Sequence, residues 1–135
     1  MEIMIVVIIV GIIAAFALPN FQNSIDNSHE RDGYTQLMAV QAANTIYKAQ
    51  NGTYYKSTTA VSEAGPTGLN TNLNINIIPN GLTYSYTSNA GGTTFTATTT
   101  SSSPSFQIKV TEASISPSTN PCCVSGCKSK SIPAC

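Results

Sequence analysis

Glu2-Ile3-Met4-Ile5-Val6-Val7-Ile8-Ile9-Val10-Gly11-Ile12-Ile13-Ala14-Ala15-Phe16-Ala17-Leu18-Pro19-Asn20-Phe21 holds a single charge, at its first position. From Ile3 to Leu18 it is almost unbroken aliphatic, and from Ile3 to Phe21 no residue is charged. Such a run favours a helix placed in lipid or inside a protein assembly, because a helix satisfies its own backbone polar groups where water is absent. Its length falls slightly below the ~20 residues that span a hydrocarbon core. A secretory signal core is preceded by a basic segment and followed by a small-residue cleavage site. The sequence shows neither, and helical pattern continues to about Asn51. An ordinary single-pass anchor usually carries Lys or Arg on its cytoplasmic flank, whereas the flanking charge here is the acid Glu2. A carboxylate in a membrane helix costs about 2.5–3.5 kcal/mol at the centre, less near an end, and usually marks a function. Glu2 is therefore read as a charge that finds its partner when subunits pack.

Gly11 and Pro19 bracket a weak segment of this stem. Proline removes a helical hydrogen bond and crowds the preceding turn, and glycine costs about 1 kcal/mol against alanine. The Gly11–Pro19 segment is expected to lose regular helix when the chain sits in a filament. From Asn20 to Asn51 the pattern stays helical and ends at the glycine stop Asn51-Gly52. A helix of about 50 residues approaches 75 Å at 1.5 Å per residue, more than a small domain covers. Tyr34, Leu37, Met38, Ala42, Ile46 and Ala49 read as one broad apolar face, with Val40, Ala43 and Tyr47 on another side. A helix apolar on several sides expects partners on several sides. The charged patch Asp26, His29, Glu30, Arg31 and Asp32 reads as a solvated collar at a membrane surface, with Arg31 available for pairing between subunits.

Beyond Gly52 the composition turns to Ser, Thr, Asn and Gly. Residues 53–81 carry turn formers, Gly65-Pro66 and Pro79-Asn80-Gly81, and read as a loop crossing the head surface. Three alternating segments follow, built on Leu82-Tyr84-Tyr86, Phe95-Ala97-Thr99 and Phe106-Ile108-Val110. With Asn89 to Gly92 and Ser101 to Pro104 as connectors they predict an antiparallel meander, one face buried against the upper helix. The expected fold is α+β. A long N-terminal helix (1–51) packs on a polar head (52–135) that holds a connecting loop, a sheet of three to four strands over 82–112 and a Cys-rich C-terminal loop over 113–135.

Cys122, Cys123, Cys127 and Cys135 cluster in that tail. An even count in a short tail points to disulfides and an oxidising compartment. Zinc fits poorly, because Cys-Cys-x3-Cys-x7-Cys lacks paired C-x2-C spacing and the only histidine, His29, lies far off. Bridging adjacent cysteines would strain the bond. That leaves Cys122–Cys127 with Cys123–Cys135, or Cys122–Cys135 with Cys123–Cys127.

Charged residues make up 9% of the chain and the net charge is zero, which leaves no electrostatic footprint for nucleic acid as a primary partner. No Ser-His-Asp set, G-x-G-x-x-G, P-loop or metal-ligand cluster is present, so neither enzymatic activity nor a cofactor or metal is expected.

The segment Glu2–Phe21, with its acid, glycine and proline, resembles the N-terminal helix of type IV pilins and type II secretion pseudopilins, and a weaker likeness continues to Asn51-Gly52-Thr53-Tyr54. The resemblance implies that Glu2 is the family's acidic residue, which attracts the N-terminal amine of a neighbouring subunit. In that family a mature subunit begins before the position of Met1, usually with a methylated Phe after a cleaved Gly. Those residues do not appear here, so an incomplete or unusual N-terminus is expected. The resemblance further implies a homo-oligomeric helical filament, built by pilus assembly machinery from subunits held first in the inner membrane and then displayed at the cell surface. Adhesion, twitching motility and DNA uptake are family roles. A major pilin is expected ahead of a pseudopilin, because this head has no tryptophan and no acidic cluster for calcium. A membrane-anchored extracytoplasmic binding module is the alternative from another class.

Overall fold

The computed structural model describes residues 2–65 and 67–135, without the side chains of Glu2 and residues 16–20. The side chains of Glu2 and Pro19, read above as assembly and helix-weakening residues, therefore lie outside the described residues.

Helix α1 (Glu2–Asn51) runs unbroken for 50 residues, about 75 Å of rod. It stops at Gly52, whose φ of +77 places it in the left-handed region. The Gly52 N–H donates to the Lys48 carbonyl at 2.8 Å, which caps the last turn in the way that glycine without a Cβ allows.

Strands β1 (Thr83–Ser88), β2 (Phe95–Ser102), β3 (Ser105–Thr111) and β4 (Cys122–Ser125) form one antiparallel sheet in chain order. Tyr86 lies opposite Ala97, and Ala97 opposite Val110, so the buried set of each strand falls on one face. Tyr84, Tyr86, Phe95, Ala97, Phe106, Ile108 and Val110 are all buried, as the period of two requires. They close on Leu37 and Val40 of α1, both fully buried. The architecture is α+β, with the fourth strand contributed by the Cys-rich tail. Close approach of helix and sheet depends on Gly33, where a Cβ would come within 2.9 Å of Thr99 Cγ2. The helix preference of about 1 kcal/mol that alanine would bring is given up for that contact.

Two expectations need correction. The head-facing side of α1 is the set Glu30, Gly33, Leu37, Val40, Gln41 and Asn44, so Leu37 and Val40 share a face and Ala42, Ile46 and Ala49 point outward. The broad apolar pattern was split at the wrong angle, because three of the inward positions are polar. The segment 53–81 is also more than a surface loop. It carries the short helix α2 (Leu69–Asn72), and Tyr54, Leu69, Leu73 and Ile77 belong to the core.

Carboxamides fasten this irregular segment. Asn70 Oδ1 accepts from Ile77 N–H at 2.8 Å and its Nδ2 donates to the Ile77 carbonyl at 3.1 Å. Gln36 repeats the pattern on Ile78, at 3.0 and 2.8 Å. A primary amide offers one acceptor and two donors, so it can pair with a strand-like backbone as another strand would. Asn44, fully buried, closes a triangle: its Nδ2 donates to the Tyr86 hydroxyl at 2.7 Å and its Oδ1 accepts from Tyr55 N–H at 2.9 Å. The Tyr86 hydroxyl in turn donates to the Tyr55 carbonyl at 2.7 Å.

Removing the Tyr86 hydroxyl leaves buried amide and carbonyl groups without a partner, so Tyr86→Phe should destabilise the head by about 1–3 kcal/mol, read from urea unfolding of the disulfide-intact chain. Tyr84 and Tyr86 are pushed from 10.0 up to about 12 by burial, with the neighbouring Thr99 and Asn44 side chains respectively pulling the other way. The folded state thus holds the proton more tightly than the unfolded chain. Stability should be complete below pH 10 and fall as the pH rises towards 12, by about 1.4 kcal/mol per tyrosine per pH unit. Tyrosinate absorbance followed beside far-UV circular dichroism checks this; ionisation of all six tyrosines near pH 10 without unfolding would contradict it.

Candidate functional site

The stem is the outstanding surface of the molecule. Every side chain from Ile3 to Ala15 is exposed, up to 81% at Ile3, and so is Phe21. The chain exposes 8052 Å², against about 6,800 Å² for a compact monomer of its mass. The ten large aliphatic side chains of the stem, Ile3 to Val10 with Ile12 and Ile13, surround the helix on all sides. Fully burying each contributes about 1.5–3 kcal/mol, so covering all ten is worth on the order of 15–30 kcal/mol before association costs of about 4–15 kcal/mol. Burial wins over that cost across most of these ranges, and the stem's stable state is a covered one. Among the described residues no helix is long and apolar enough to cross a membrane; the described apolar run Ile3–Ala15 spans about 20 Å.

Where the stem meets the head, the charged patch departs from the solvated collar expected of it. Glu30 is fully buried. Its Oε1 accepts from Lys128 N–H and its Oε2 from Ser129 N–H, each at 2.7 Å. Asp26 lies one turn below and pairs with Lys128 Nζ at 2.7 Å, its own side chain 14% exposed. Asp32 accepts from Gln36 Nε2 at 3.1 Å and Asn80 Nδ2 at 3.3 Å. The acids at positions i, i+4 and i+6 are fasteners between α1 and the head, and only Arg31 stands exposed as expected. Glu30 was missed because its partners are backbone groups 98 and 99 residues away, and no local pattern announces them.

The same clamp holds the C-terminal tail. Of the two pairings left open by the spacing, the structure has Cys122–Cys135 with Cys123–Cys127. Cys122 is buried and lies in β4 opposite Lys109, so the tail is an edge strand of the sheet and not a loop on its rim. Closing the Cys122–Cys135 loop removes about 3 kcal/mol of unfolded-state freedom in the chain-entropy account. Below it the 127–130 segment is tied to α1 through Glu30.

Open hollows lie along α1. One, of ≈ 470 Å³, runs between Ala42, Ala43, Ile46 and Tyr47 of α1 and Leu73 and Ile75; Ile46 is 60% exposed there. It is a second apolar patch on α1, separated from the stem by the polar stretch that contains Ser24, Ser28, Arg31 and Thr35. His29 and Asp32 share a second hollow with Asn80. Among the described residues no group of three or more His, Cys, Asp and Glu could hold a metal ion.

The chain is 33% identical over 54 residues to the type II secretion system core protein G of Vibrio cholerae serotype O1, a match covering 40% of this chain and 37% of that protein. The chain thus spans well under half the length of the curated relative it matches. No protein-family model matches the chain, and no solved structure does.

The clamp has a sharp test. Glu30→Gln keeps the shape but turns an amide donor toward one of two backbone N–H donors, and removes the charge from both bonds. It should cost about 2–3 kcal/mol and raise hydrogen exchange at Lys128 and Ser129 before the sheet is affected. Exchange unchanged at those two amides would show that the carboxylate is not what holds the tail.

Proposed function

We propose that the chain is a non-enzymatic structural subunit of a type IV pilin-like filament. The stem forms the filament core, the head forms its coat, and the subunit waits in the inner membrane before assembly. The single observation that carries this reading is an apolar stem exposed from Ile3 to Ala15 on a head whose own core is closed. Such a rod has no use for its stem as a monomer, and like copies offer apolar cover along its length. The acid at Glu2 supports the same reading, because a carboxylate buried in a filament core needs a cationic partner, which a neighbour's N-terminal amine would supply.

Between the two kinds of filament, we favour a surface pilus. The head has only Glu63 and Glu112 as acids and no tryptophan, unlike the calcium-loop heads of major pseudopilins. The second reading, a pseudopilus of type II secretion, is favoured by the likeness to core protein G over 54 residues. A pilus would serve adhesion, twitching motility or DNA uptake and would need the pilus assembly machinery as partner.

Deleting the gene should abolish sheared surface filaments in electron micrographs while leaving protein secretion intact. Loss of secretion with filaments unchanged would transfer the protein to the pseudopilus, and no change in either would overturn the filament reading. In the complemented strain, Glu2→Ala should leave the membrane level of the subunit unchanged and cut filament yield at least tenfold; normal assembly would remove the role given to Glu2.

A further inference from the structure

The collar separates its charges. At this level of the rod each acid is engaged away from the cationic hollow or within it by one partner: buried Glu30 by backbone N–H groups, Asp26 by Lys128, and half-buried Asp32 by side-chain amides. The cations of the same level face water. Arg31 and Lys130 are exposed, and Lys128 is 55% exposed beside Asp26. Together with Asn27, Ser28 and Ser129 they line one polar hollow of ≈ 550 Å³. Formal charges at this level balance, but they are segregated: the hollow is lined by all three cations and by no carboxylate, while Asp32 lines the neighbouring hollow with His29.

Position along the rod decides which anion this hollow meets. Its α1 wall begins at Ser24, three residues or about 4.5 Å above Phe21. The uncharged run Ile3–Phe21 spans about 28 Å as helix, close to the ~30 Å hydrocarbon core, and the headgroup layer above that core is about 5–8 Å thick. Side chains on a helix lean toward its N-terminus, and long cationic ones extend to reach the interface. Arg31 lies ten residues, or about 15 Å, above Phe21, and both tendencies bring its guanidinium down to the upper edge of that layer.

We infer that this hollow, walled by Arg31, Lys128 and Lys130, binds the phosphate headgroup of an anionic phospholipid while the subunit awaits assembly. It sets how deep the stem sits and turns one side of the head toward the bilayer. The inference rests on the proposed lipid-embedded state of the stem. Ser28, Asn27 and Ser129 supply neutral donors beside the cations, which suits a phosphodiester with its spread of acceptor oxygens.

The test uses the full chain in detergent micelles carrying equal phosphatidylglycerol and phosphatidylcholine, with retained lipid counted by native mass spectrometry. Phosphatidylglycerol should be retained at least tenfold over phosphatidylcholine. Each cation near an anionic surface is worth about fivefold, so losing two is enough to erase a tenfold preference, and R31Q/K130Q should bring retention of the two lipids to near parity. Lys56→Gln, at the far end of the head, should leave it unchanged. Equal retention of the two lipids by the native chain, or a preference that survives R31Q/K130Q, overturns the inference. So does removal of phosphatidylglycerol by millimolar inorganic phosphate, which would make the hollow a simple anion site. If the two cations instead receive carboxylates from a neighbouring head, R31Q/K130Q would reduce filament yield with no lipid preference to lose, and the inference fails. Incorporation into nanodiscs of phosphatidylcholine alone is read separately: failure there overturns the stem reading itself.

Discussion

A continuous helix of 50 residues cannot be covered by the small head that follows it, and everything else in this molecule follows from that mismatch. A continuous helix carries its lower half away from its own sheet. The head covers α1 from Glu30 to about Asn44, and the stem below Phe21 is left for other molecules to bury. The head must then be stable without help from the stem, although it is small for a self-sufficient core. Two disulfides in the tail, a sheet face that is aromatic and aliphatic apart from Ser88 and Thr99, and the ring cluster of Tyr54, Tyr86 and Phe95 meet that need. The two halves are joined at the collar, where three acids of α1 reach the tail and the connecting segment.

How much of this the sequence discloses depends on the range of the interaction. The strands were legible because alternation is local: Tyr84, Tyr86 and Phe106, Ile108, Val110 face the core wherever the sheet is placed. The helix stop at Gly52 was legible for the same reason, since a left-handed cap is a property of adjacent residues. The helix face was misread because amphipathicity assumes that inward positions are apolar, and Glu30, Gln41 and Asn44 are inward and polar. Leu69, Leu73 and Ile77 carry no local signal of burial, because a single turn of helix has no period to detect. The stem's exposure was readable from composition, but which collar acids face water was not. That depends on backbone N–H groups about a hundred positions downstream.

The choice of fasteners has its own logic. With so few charged residues, the chain closes its irregular parts with carboxamides that pair as backbone does: Asn70 with Ile77, Gln36 with Ile78, and Asn120 with Thr111, whose N–H it accepts at 3.1 Å and whose carbonyl it reaches at 3.3 Å. Asn120 Nδ2 also donates to the Ala113 carbonyl at 2.6 Å, and Gln41 Nε2 to the same oxygen at 3.2 Å, so the turn before β4 is tied to both the sheet and the helix. An amide has no proton to lose or gain in the physiological range, and its bonds do not rely on a long-range field.

Neutral fasteners behave differently from ionic ones when the surroundings change. Attraction between exposed charges fades over about 10 Å at 0.1 M salt and about 3 Å at 1 M, whereas a short amide–carbonyl bond is almost indifferent to dissolved ions. The exposed shell of an object built from such heads would keep its shape in fresh water, in brine and in mucus alike. Among the described residues the Asp26–Lys128 pair is the one ion pair that salinity could loosen, and it sits at the base of the head. A coat poor in charge would also attract few counter-ions and few oppositely charged macromolecules, and would give an antibody or a phage little electrostatic purchase.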